Sequence, residues 1–169
     1  MNYFELYEIP VSFRPDQAQV KKQYYALSRK YHPDFFGGTD AAQQQEVLEK
    51  SAQVNQAYKV FQSEEATIKY ILQLHGLIEE EEKFQLPPDF LMEVMELNEQ
   101  VMELDKEDAA ARAALETAIQ TLQNNIYEPV EAIMANYQEG ADTEKELLQV
   151  KNYYYQKKYL DRIVQGLIR

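Results

Sequence analysis

His32, Pro33 and Asp34 are the residues whose types and spacing could do chemistry: an imidazole and a carboxylate on either side of a proline. Proline fixes its own φ and drives the preceding residue out of helical geometry, so the tripeptide is predicted to end a helix and hold both polar groups in a defined turn. An aspartate there can accept hydrogen bonds or pair with an arginine, and a histidine can donate or accept. No nucleophile or second carboxylate lies nearby in sequence, so the pair reads as a contact surface and not as an acid–base catalyst. The chain has no cysteine, and its two histidines are His32 and His75, so neither a reactive thiolate nor a metal site is expected. The expectation is a protein that is not an enzyme and needs no cofactor.

The element that must position this turn precedes it. Asp16 and Gln19 stand in capping-box spacing, and Val20, Tyr24, Leu27 and Tyr31 follow as one apolar stripe at helical spacing. At about 100° per residue, Lys22 and Arg29 fall almost opposite that stripe, flanked by Lys21 and Lys30, so the outer face is basic. Asp40 and Gln43 mark a second capped start, and Val47, Val54, Tyr58 and Phe61 form a seam that could pack antiparallel to the first across the turn. A short helix from Tyr3 to Tyr7 would supply Phe4, Leu6 or Tyr7 to close a core too small for two helices alone.

Three longer helices are expected beyond Pro87-Pro88: Asp89 to Leu104, Glu107 to Tyr137 with an interruption at Pro129, and Thr143 to Ile168. Their seams read Phe90, Val94, Leu97, Val101, Leu104; then Leu115, Ile119, Leu122, Ile126, Val130, Ile133; then Val150, Tyr153, Leu160, Val164, Leu167, the last helix opening on a Thr143–Glu146 capping box. Hairpin turns flanked by alternating residues are absent. The expected fold is therefore all-α, with a helical hairpin plus short helices over residues 1–76, an acidic linker over 77–87 and a three-helix bundle over 88–169. The tyrosines Tyr153 to Tyr155 read as a packing feature at the edge of an interface.

The formal net charge of −12 is unevenly spread: residues 1–76 carry −1 and residues 77–169 carry −11. An acidic second half repels phosphate backbones, which argues against nucleic-acid binding, whereas the basic face of the first half could meet an acidic protein. No apolar run is long enough to span a membrane and the N-terminus lacks a secretion-signal pattern, so the cytoplasm is the expected location and no membrane partner is expected.

A second patch emerges from a helical wheel with Phe90 at zero. The seam residues stay within about 40°, whereas Leu91, Met95 and Met102 lie about 100° to 140° away and Met92 about 200°. Glu96, Glu99 and Glu103 run alongside, so an apolar, methionine-rich strip is bordered by carboxylates. Two readings stay open: a binding surface for a partner with apolar and basic residues, or a second core-facing side that buries Leu91, Met95 and Met102 between neighbouring helices.

The run Lys21-Lys22-Gln23-Tyr24-Tyr25-Ala26-Leu27-Ser28-Arg29-Lys30-Tyr31-His32-Pro33-Asp34, with Val54-Asn55-Gln56-Ala57-Tyr58, resembles the second and third helices of the J-domain family. The start Asn2-Tyr3-Phe4-Glu5-Leu6-Tyr7-Glu8-Ile9-Pro10, the segment Lys69-Tyr70-Ile71-Leu72-Gln73-Leu74-His75-Gly76 and the helix opening Phe90-Leu91-Met92-Glu93 resemble the HscB family over nearly the whole chain. The resemblance implies a co-chaperone that stimulates an HscA- or DnaK-class ATPase and delivers an IscU-type iron–sulfur scaffold to it. A J protein delivering a different client is the alternative. By that resemblance Lys22, Arg29 and Lys30 steer docking, His32, Pro33 and Asp34 trigger the ATPase, and Leu91, Met92, Met95, Glu96, Glu99, Glu103 and Tyr159 bind the scaffold. The sequence departs from the J-domain pattern where Phe35-Phe36 follow the tripeptide in place of the usual lysine; both rings are expected to tuck against the hairpin, the alternative being that the change weakens or retunes the docking.

Overall fold

The computed structural model describes residues 1–140 and 144–168, and these divide into two compact units, Met1–Gly76 with Met134–Ala141, and Leu77–Ile133 with Asp142–Arg169. Among the described residues there is no strand.

The first unit is built on a hairpin of α2 (Gln17–Lys30) and α3 (Ala41–Phe61). Both open where the sequence caps them: the Asp16 carboxylate accepts from the backbone N–H groups of Ala18 and Gln19, and the Asp40 carboxylate accepts from that of Gln43. α1 (Tyr3–Leu6) starts on a reciprocal box between Asn2 and Glu5 and inserts Phe4, Leu6 and, just past its end, Tyr7 into the core beside Val20, Val54, Ala57 and Phe61. The Tyr7 ring meets Phe61 edge-on at 5.1 Å, and its hydroxyl donates to the Val54 carbonyl at 2.7 Å. Burial pushes that phenol well above its usual pKa, so it remains a donor.

α4 (Glu64–Leu74), capped by Ser63, adds Thr67, Ile68, Ile71 and Leu72. It ends at Gly76, whose φ of +66° suits a residue without Cβ. The segment at 134–140 closes the unit: Tyr137 meets Phe13 edge-on at 5.1 Å, and its hydroxyl donates to Glu139 Oε1, which also takes a hydrogen bond from His75 Nε2 at 2.8 Å.

Two expectations need correction here. Of the α2 stripe only Val20 is fully buried; Tyr24, Leu27 and Tyr31 are half-buried, with Tyr24 stacked on Tyr58 at 4.2 Å, because two helices alone cover this part of the hairpin. Phe35 does not tuck in but stands 73% exposed, while Phe36 is half-buried.

The second unit is a bundle of α5 (Pro88–Glu103), α6 (Ala109–Tyr127) and α8 (Glu144–Ile168), each packing on the other two. The helix expected to run on to Tyr137 is broken at Pro129: α6 passes into a 3₁₀ turn, Glu128–Val130, and then α7 (Glu131–Asn136), because proline offers no amide to the preceding turn. Phe90, Val94 and Leu97 from α5 meet Leu115, Ile119, Leu122 and Ile126 from α6 and Val150, Tyr153, Leu160 and Leu167 from α8. Ile163, not the expected Val164, completes the α8 seam, and Val101 and Leu104 are half-buried. The capping box expected at Thr143 lies outside the described residues.

The acidic segment before α5 is packed onto α8, not loosely solvated. Glu82 Oε1 accepts from Lys151 Nζ at 2.9 Å, Phe84 stacks on Tyr155 at 4.6 Å, and Ile78 is buried. The Lys151 hydrogen bond holds the Glu82 carboxyl below its usual range against the opposing effect of burial.

Candidate functional site

The turn after α2 is organised by its own three residues. His32 takes an extended conformation, φ −71° and ψ 125°, as a residue before proline must, and Pro33 occupies the first position of a 3₁₀ turn over Pro33–Phe36. The His32 imidazole caps that turn, Nδ1 accepting from the Asp34 backbone N–H at 3.2 Å. This bond assigns the ring proton to Nε2, which is left as an outward donor. The Asp34 carboxylate stands 3.6 Å from Nδ1, too far for a strong hydrogen bond, and is almost wholly open to solvent. The turn therefore presents one donor and one carboxylate from a proline-fixed backbone, with no nucleophile between them and both side chains too open to solvent for proton transfer to be favoured.

Lys21, Lys22, Arg29 and Lys30 are all exposed on α2, and among the described residues none of them is engaged in an ion pair within the chain. Helical spacing puts Lys22 and Arg29 along one face leading to the turn, so an unneutralised positive stripe ends at His32 and Asp34.

The second patch lies on α5. Met92, Met95 and Met102 are 66%, 61% and 77% exposed, which removes the core-facing reading for Met95 and Met102. Leu91 is half-buried, and Glu96, Glu99 and Glu103 are exposed beside the methionines. Tyr159 of α8 comes next to this strip: Val94, Met95, Asn98, Tyr159, Arg162 and Ile163 line one groove of about 220 Å³. Asn98 and Arg162 were not anticipated. The signal for each is a spacing of three residues, Asn98 from Met95 and Arg162 from Tyr159, which puts neighbours on one helix face. Arg162 is a cation in an otherwise acidic border and can take a carboxylate from a partner.

A basic helix, a proline-locked His-Pro-Asp turn and a returning helix are the arrangement of a J domain, the module by which co-chaperones act on ATPase chaperones. Residues 2–70 match the family described as "DnaJ domain" and residues 86–167 the family described as "HSCB C-terminal oligomerisation domain". The chain is 31% identical over 128 residues to the co-chaperone protein HscB homolog of Vibrio cholerae serotype O1, covering 74% of this chain and 75% of that one. It is 32% identical over 154 residues to the human iron-sulfur cluster co-chaperone protein HscB, covering 90% of this chain and 64% of that one. Among solved structures, chaperone HscB from Vibrio cholerae superposes with a TM-score of 0.72 at 27% identity over 100% of this chain and 96% of that one. Human co-chaperone HscB superposes with a TM-score of 0.75 at 27% identity over 99% and 80%. This chain belongs to the HscB family of J-domain co-chaperones, which are not enzymes. None of its described helices is long and apolar enough to cross a membrane.

Proposed function

We propose that this chain is a cytoplasmic adaptor in which residues 1–76 work as the J domain and residues 88–169 carry a client. Lys22, Arg29 and Lys30 dock on an acidic surface of an HscA- or DnaK-class ATPase, and His32, Pro33 and Asp34 stimulate that partner's hydrolysis of ATP. Leu91, Met92, Met95, Glu96, Glu99, Glu103 and Tyr159 bind an IscU-type iron–sulfur scaffold, whose cluster is cargo and not a cofactor of this chain.

The observation that carries this reading is the presence, in one HscB-family chain, of two solvent-open patches of opposite charge, the α2 stripe ending at the tripeptide and the methionine strip of α5. The iron–sulfur part draws support from the name of the human relative. The deciding experiment measures ATP hydrolysis by a purified HscA- or DnaK-class chaperone with this chain, with an IscU-type scaffold, and with both. Stimulation by the chain alone and a more than additive rate with both is expected. Stimulation without synergy, together with no binding of the scaffold, removes the iron–sulfur client and leaves the J-domain role.

A further inference from the structure

The basic face of α2 is not purely basic. Tyr25 stands three residues after Lys22 and four before Arg29, so its ring lies among the cations, one helical turn from each. It is 54% exposed and leans on Tyr24, with ring centroids 5.8 Å apart. Together with Ser28, Arg29 and His32 it lines a shallow groove of about 380 Å³ whose walls are nearly all carbon. Phe35 meets the His32 imidazole edge-on at 5.8 Å.

A single exposed ring needs no explanation, but Phe35 against the His32 imidazole, and Tyr25 beside the same imidazole in a carbon-walled groove that Arg29 also lines, put two exposed rings next to the tripeptide histidine. Exposed aromatic and arginine side chains meeting in one pocket are the residue types that dominate binding energy at protein interfaces.

We infer that Tyr25, Phe35 and the groove at His32 receive an apolar side chain projecting from the acidic surface of the ATPase, and that these two rings help decide which ATPase the chain stimulates. The inference rests on the J-domain role proposed above. The occupant is argued from charge and continuity. Arg29 in the groove wall and Lys22 one helical turn from Tyr25 repel the same face of a second copy and favour an acidic partner, and the groove reaches His32 of the turn proposed to act on that partner. Charge alone would steer encounter and fade with salt, whereas ring burial persists.

The test uses the full chain and a purified DnaK- or HscA-class ATPase, titrated at low and high salt with wild type, Tyr25→Ala, Phe35→Ala and His32→Gln. Tyr25→Ala and Phe35→Ala should each raise the half-saturating concentration about fivefold or more, with helicity and Tm unchanged because both rings are exposed. Wild type should keep part of its stimulation at high salt, where the two variants lose theirs. Wild-type half-saturation and salt dependence in both variants overturn the inference while leaving the J-domain role intact. The same result accompanied by loss of self-association in sedimentation assigns the rings to a second copy and overturns it equally. Failure of the wild-type chain to stimulate, or undiminished stimulation by His32→Gln, overturns the J-domain role and this inference with it.

Discussion

At the turn after α2 the backbone proposed to meet the ATPase is fixed. Pro33 sets the backbone, the His32 imidazole is held by the Asp34 amide, and the hairpin behind them is pinned by the Tyr7 hydroxyl on Val54. On α5 the corresponding surface is made of three exposed methionines, side chains with several rotatable bonds and a polarizable sulfur, bordered by glutamates. The first suits a task in which a few polar atoms must arrive in one geometry, so single substitutions within the tripeptide should be all-or-none. The second suits holding a folded client, with energy spread over several adaptable contacts, so single substitutions should be tolerated and combined ones felt.

The sharpest way to break this comparison is at the tripeptide. His32→Gln or Asp34→Asn should abolish ATPase stimulation while scaffold affinity, measured by calorimetry, stays at the wild-type value. Loss of both functions by either substitution, with the fold preserved, would contradict a division of labour between the two patches. Next in size, the triple variant Leu91→Ala, Met92→Ala, Met95→Ala should weaken scaffold binding by about tenfold to a hundredfold while any one of the three alone costs only severalfold. Unchanged helicity is part of the expectation for the exposed methionines. A large loss of helical circular dichroism would trace the effect to the half-buried Leu91.

Much of this was legible in the sequence because the signals are local. Asp16 and Asp40 cap where their spacing says they should, the α5 wheel separates buried Phe90, Val94 and Leu97 from exposed Met92, Met95 and Met102, and the charge halves are plain. Other features depend on what lies across the fold. Ile163 replaces Val164 in the core because a seam spaced at threes and fours drifts by about 20° per heptad around a straight helix, which matters over 25 residues. Phe35 looks like a core residue by type, yet the 3₁₀ turn aims it outward beside His32. Helix α4 was not separated from its surroundings, although Ser63 before two glutamates is a cap signal. Asn98 and Arg162 join the α5 groove only once α8 packs there, and the acidic run at 79–82 gave no hint that Glu82 is bound to Lys151.

The stiffness of the hairpin can be tested by removing one oxygen. Tyr7→Phe deletes the hydroxyl that donates to the Val54 carbonyl and leaves the ring packing on Phe61 in place. A loss of about 1 kcal/mol in urea denaturation is expected, since the ring's burial is kept and a single buried hydrogen bond is lost. Scaffold affinity should not move. A stability equal to wild type would mean the phenol contributes packing alone, and the contrast between a pinned surface and an adaptable one would then rest on Pro33 and His32.

The smallest effect belongs to the second unit. Glu82 is held below the ordinary carboxylate range mainly by its hydrogen bond from Lys151, and both residues are half-buried. Its folded pKa is therefore lower than its unfolded one. The stabilisation is complete above the unfolded value and is lost as pH falls through the folded value, when the carboxyl takes up a proton and the pair is broken. Glu82→Gln should cost about 1 kcal/mol or less at neutral pH and flatten that part of the acid dependence, so wild type and variant should converge in stability once pH has fallen through the lowered folded value. Because Glu82 and Lys151 are not among the methionine-strip residues, scaffold affinity at neutral pH should match wild type. A gap between the two proteins that stays constant down to acid pH would show that the glutamate acts there through packing and not through its charge.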